Sequence, residues 1–102
     1  RLERGVTVEA KTILEGMPAA LRHEVVVAAL ECNAARRSYE AGPRAGEPRR
    51  EFERRAFSGY KGASRYLNGL IVGYLIGSGV PREAGLAVKR AALDAAREEF
   101  GA

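Results

Sequence analysis

Hydrophobic positions along the chain fall into four stretches separated by glycine- or proline-bearing breaks. Thr7 is placed to cap a short first helix over about 8–15, with Gly16 as its stop. Met17-Pro18 opens a second helix, since a proline in a first turn lacks only an N–H that has no helical partner there. Leu21, Val25, Ala28, Cys32, Ala35 and Tyr39 follow one helical stripe to about Ala41. Val26, Val27, Ala29 and Leu30 widen that stripe, so the middle of this helix is expected to be buried on several sides. The β-branched run VVV alone would suit a strand, but the long alanine-rich continuation outweighs it.

AGPRAGEP, residues 41–48, breaks both helix and strand and reads as a linker. Helix resumes after Pro48 with RREFERRAF and continues into the apolar run LIVGYLIG, with Gly79 as its stop. Pro81 and Glu83 then announce a last helix over about 82–99.

The apolar run admits several readings, and spacing chooses among them. A membrane span needs about 20 apolar residues; the uncharged window from Tyr66 to Pro81 has 16 and includes Asn68 and Ser78. A phosphate-binding loop needs its glycines between strand and helix, with a lysine pattern that is absent. Gly69, Gly73 and Gly77 lie four apart and so share one helical side, roughly extended by Gly62 and Tyr66. An interior glycine costs a helix about 0.5–1 kcal/mol relative to alanine, so three in register point to close packing. Ala87, Ala91 and Ala95 have the same spacing in the next helix, with Ala84 and Val88 nearby. The first expectation is therefore an antiparallel hairpin in which Gly77 faces Ala84, Gly73 faces Ala87 or Val88, and Gly69 faces Ala91. The alternative is that the glycine groove is the seam of a homodimer, and a strand is the remaining reading of so short an apolar run. The expected fold is all-α: residues 1–102 as one small four-helix domain with a close-packed C-terminal antiparallel helical hairpin.

A chain of 102 residues buries little more than about 60% of its unfolded surface, which favours self-association. One cysteine excludes an intrachain disulfide and suits a reducing cytoplasm, and no basic-then-apolar leader opens the sequence. The preference for Arg over Lys, 14 against 3, fits a GC-rich bacterial genome.

Net charge is +4, but its distribution is uneven. Residues 36–65 carry nine basic and four acidic side chains, while the rest of the chain has eight basic and nine acidic. Tyr39, Phe52, Phe57 and Tyr60 are interleaved with those cations. Arginines beside aromatics are the footprint of polyanion binding, and equally of an acidic protein partner. The candidate residues are Arg49, Arg50, Arg54, Arg55, Tyr60, Lys61 and Arg65. A solvated helix face with core phenylalanines would give the same pattern.

Catalytic chemistry finds little support. His23 and Cys32 are nine apart, on opposite faces of one helix, and cannot form a nucleophile pair. No zinc-ligand spacing, Ser-His-Asp pattern or GxSxG turn occurs, so neither a metal nor a cofactor is expected. GSGVPREAGLAVKR has the outline of a helix-turn-helix, but its second helix is alanine-rich where a DNA reader is polar. LEGMP at 14–18 and LNGLI at 67–71 resemble, over about ten residues, the TraM antiactivators, small helical dimers that sequester a quorum-sensing regulator. The spacing after LNGLI departs from that pattern and the last helix extends past it, so no residue role is carried over. The expected function is a non-enzymatic regulatory or adaptor protein, homodimeric, engaging an acidic partner through the basic segment. A nucleic-acid or nucleotide-binding module using the same face is the alternative.

Overall fold

Four helices form where the stripes predict them. A computed structural model describes residues 8–101, comprising α1 (Val8–Glu15), α2 (Ala19–Ala41), α3 (Arg49–Ser78) and α4 (Gly85–Phe100), with a short 3₁₀ turn at Arg82–Ala84 before α4. Among the described residues there is no strand, and no helix is long and apolar enough to cross a membrane. Thr7, expected to cap α1, lies outside the described residues.

The helix boundaries have local causes. Pro18 ends the turn after α1, and its carbonyl accepts the Arg22 N–H to open α2. Pro48 serves α3 in the same way through the Phe52 N–H. At the other end of α3, Gly79 takes a left-handed conformation, with φ near 73°, that a side chain would resist. Its N–H reaches Ile76 O while the Val80 N–H reaches Leu75 O, which satisfies carbonyls the helix leaves open. Val80 packs against the core cluster that contains Leu75, and Pro81 then prevents the helix from continuing.

α2 and α3 pack side by side, and α4 returns along them, making more extensive contact with α2 than with α3. The core is built from Leu14 and Met17, Val25, Val26, Ala29 and Cys32 of α2, Leu67, Ile71 and Leu75 of α3, and Val88, Ala92 and Ala96 of α4. Small residues on α4 bring its backbone close to its neighbours. Asn33, buried in α2, donates from its amide to Leu93 O on α4 at 3.2 Å. Arg22 joins three helices, pairing with Glu15 at 3.2 Å and Glu99 at 2.8 Å.

The fold class is as expected, including a C-terminal helix pair, but the hairpin is not packed through its glycines. A Cβ built on Gly69, Gly73 or Gly77 would meet nothing within 4 Å, and all three are exposed. Ala91 is buried and Ala87 half-buried, yet their neighbours are not those glycines. The approach of α4 to α3 runs instead through Gly85, whose added Cβ would lie 3.8 Å from Leu75 Cδ1 and 3.9 Å from Val72 Cγ2. The physical reason is amphipathic. Leu67, Ile71 and Leu75 are the bulky apolar stripe of α3, and burying them turns the glycine side outward.

Candidate functional site: a basic, aromatic end and two open faces of α3

At about 100° per residue the surface of α3 divides into three sectors. Phe52, Ala56, Leu67, Ile71 and Leu75 face the core. Arg50, Arg54, Lys61 and Arg65 fall within about 60° of one another on a second sector, and all four are exposed. Gly62, Gly69, Gly73 and Gly77 occupy a third, spanning about 80°, and it too is exposed.

The cations of the basic segment separate into two groups. Arg55 grips Glu47 with two hydrogen bonds, of 2.8 and 2.9 Å, and reaches Ser38 Oγ at 3.4 Å. Glu47 also accepts the Arg44 backbone N–H, which ties the 42–48 connection onto α3. These donors, Arg55 foremost, hold the Glu47 carboxyl at about 2, well below its usual range. Arg49 pairs with Glu53 at 3.3 Å, one turn along. Both arginines were expected at a partner site, but they are already engaged with carboxylates of their own chain. Among the described residues no carboxylate pairs with Arg50, Arg54, Lys61 or Arg65.

The aromatic residues divide as well. Phe52 is buried, 3% exposed, and stacks on Tyr39 with ring centroids 5.8 Å apart. Arg49 and Arg55 place their guanidinium groups 6.0 and 5.7 Å from its ring centre, so Phe52 organises the cations and presents nothing to solvent. Phe57 is 53% exposed, tilts against Tyr39 at 6.5 Å, and has the Lys61 ammonium 5.8 Å from its ring centre. Tyr39, Phe57 and Tyr60 line an open cleft of about 270 Å³ whose remaining wall is the Arg36 and Glu40 ion pair. Tyr60, a candidate from its position beside Lys61, lines this cleft. Arg36 and Tyr39 were not among the candidate residues, although Tyr39 ends the apolar stripe of α2 and so had to emerge at this end.

On the glycine sector, Tyr66 is 50% and Ile76 60% exposed, two large side chains flanking a groove without side chains of its own. The Tyr66 hydroxyl donates to Glu24 on α2, which fixes the ring at the edge of the groove and pushes the phenol above its usual range. Ile76 was missed in the sequence because the run LIVGYLIG is apolar on every side, which hides which members face outward.

Among the described residues no group of three His, Cys, Asp or Glu side chains is placed to hold a metal ion. Cys32 is buried beside Val25 and Ala29, and burial pushes its thiol up, which disfavours the nucleophilic thiolate. No protein-family model matches the chain, and neither a curated protein nor a solved structure matches it.

Proposed function

We propose that this chain is a non-enzymatic regulatory or adaptor protein of a reducing cytoplasm that captures an acidic protein partner on its basic end. The observation carrying this reading is the exposed Phe57 in an apolar cleft, next to a row of cations that no carboxylate of the described chain neutralises. Recognition of a protein surface combines a desolvated aromatic anchor with charges that steer and align the partner. In that role Phe57 and Tyr39 supply the anchor pocket, and Tyr60 forms its wall. Arg50, Arg54, Lys61 and Arg65 attract the acidic chain. Arg49 and Arg55, occupied by Glu53 and Glu47, hold the scaffold in place.

The protein acts as a homodimer through the exposed glycine sector of α3. Tyr66 and Ile76 supply the apolar contacts, and the glycines allow the two backbones to approach. Sedimentation across a wide concentration range tests this, and a monomer at the highest concentration removes the dimer.

The second reading, a nucleic-acid module, is favoured by the spacing of Arg54, Lys61 and Arg65 along one side of α3, which suits consecutive phosphates. One titration separates the two. Fluorescence anisotropy is read with a labelled peptide of alternating Glu and Leu, and with single- and double-stranded oligonucleotides, at two salt concentrations. The adaptor reading expects the peptide to bind, with loss on Phe57→Ser and on charge reversal of Arg50 and Arg54. Oligonucleotide binding whose logarithm falls linearly with log salt, by about 0.7–0.9 per phosphate contact, would promote the second reading. No peptide binding at low salt, or binding indifferent to Phe57→Ser, would sink the first.

A further inference from the structure

A second cleft lies between α3 and α4, with a volume of about 320 Å³ and no lining residue in common with the aromatic cleft. Ile71, Val72 and Leu86 form its apolar wall, and Asn68, Arg82 and Lys89 its polar edge. Leu86 is 61% exposed and lines this cleft. Lys89 is half-buried, and its ammonium donates to Ser64 Oγ at 2.7 Å. An ammonium has three protons to donate, so two remain. Among the described residues neither Lys89 nor Arg82 is paired with a carboxylate.

We propose that this cleft binds a small amphipathic organic acid, a carboxylate on a short aliphatic chain. The carboxylate sits between Arg82 and Lys89, where charge-assisted hydrogen bonds are the strongest available. The chain lies along Ile71, Val72 and Leu86 and covers the exposed leucine. The volume is at the small end of ligand sites, about 300–1,000 Å³, which limits the chain to a few carbons. An inorganic anion would leave the apolar wall uncovered, and a neutral alcohol would leave both cations unsatisfied. The site stands apart from the basic end, so it holds or fails independently of the adaptor reading.

Sodium hexanoate is the probe, titrated into the full chain while amide resonances are followed by two-dimensional NMR. Hexanol and sodium acetate serve as the tail-only and head-only controls. The expected result is saturable shifts centred on Val72, Gly85, Leu86 and Lys89, with both controls at least about tenfold weaker. Arg82→Gln and Lys89→Gln each weaken hexanoate about tenfold, as loss of one charged hydrogen bond should, and leave hexanol unchanged. Arg82 is exposed, so its variant decides the matter even if the Lys89 variant disturbs the fold. An equal response to hexanol, shifts centred on Tyr39 and Phe57, or indifference to Arg82→Gln overturns the proposal.

Discussion

Replacing Gly69, Gly73 and Gly77 together by alanine separates the packed and the open glycine groove by the sign of one number. In the structure each added Cβ meets nothing within 4 Å; Gly69 and Gly73 lie in the interior of α3, while Gly77 sits in its last turn. An interior glycine costs about 0.5–1 kcal/mol against alanine, and these sites share no partner, so the gains add. The triple variant should therefore be more stable by about 1–2 kcal/mol, almost all of it from Gly69 and Gly73. At roughly 4–8 °C per kcal/mol for a chain of this size, its melting temperature rises by about 4–16 °C. Had the glycines met Ala84, Ala87 and Ala91, each methyl would overpack a filled contact at about 1–3 kcal/mol, and the variant would melt lower. Calorimetry and urea denaturation at low micromolar concentration read this difference. Repeating them at high concentration probes the proposed dimer, because three methyl groups between two backbones weaken association and shrink the variant's advantage. Destabilisation at low concentration would refute the open groove.

Three further expectations follow from single side chains. Ile71→Ala, at a position 1% exposed, should cost about 2–5 kcal/mol in urea denaturation, whereas Ile76→Ala, at 60%, should stay within about 0.5 kcal/mol for the monomer. The folded Glu47 carboxyl lies at about 2, below its usual 4.5, so its contribution is complete above about pH 4.5 and is lost as pH falls from there towards 2. Glu47→Gln should flatten that acid limb of the melting-temperature profile, and an unchanged limb would deny the Arg55 clamp its role. Cys32, 2% exposed with its thiol pushed up by burial, should react with a thiol reagent only as fast as the chain opens. A fast reaction in the absence of denaturant would contradict its burial.

The extent of each helix was legible because its signals were local. Pro18, Pro48 and Gly79 act on their own turns, and the stripe from Leu21 to Tyr39 has a helical period whatever lies opposite it. The direction each face of α3 takes was not local. Glycine spacing in α3 and alanine spacing in α4 match in register, but register does not reveal which of two apolar sides is buried. Leu67, Ile71 and Leu75 decided it, because leaving three large side chains in water costs more than leaving glycines there. The same limit applied to the arginines. Composition located nine cations in one segment, but only the folded linker brings Glu47 onto Arg55 across eight residues and removes that arginine from the open set. Phe52 and Phe57 sit five apart with similar surroundings in sequence, and opposite fates follow from the side each presents to α2.

The separation of the open faces on α3 bears on how two copies could meet. Arg50, Arg54, Lys61 and Arg65 all lie N-terminal to Ile71, the midpoint between the Tyr66 and Ile76 that flank the groove. If the grooves of two chains pair with the helices parallel, the two rows of cations run side by side with no carboxylate between them. Antiparallel pairing about that centre sets Gly69 against Gly73 and Tyr66 against Ile76, so each large side chain has an apolar counterpart. The cations then lie from about 9 Å (Arg65) to about 32 Å (Arg50) from the centre, so about 18–63 Å from their equivalents, all beyond the Debye length of about 8 Å at physiological salt. Charge repulsion is thereby relieved by the same arrangement that matches the side chains. It also leaves the aromatic cleft of each copy at an outer end, open to a partner, so a dimer of this geometry would present two acidic-partner sites facing away from each other.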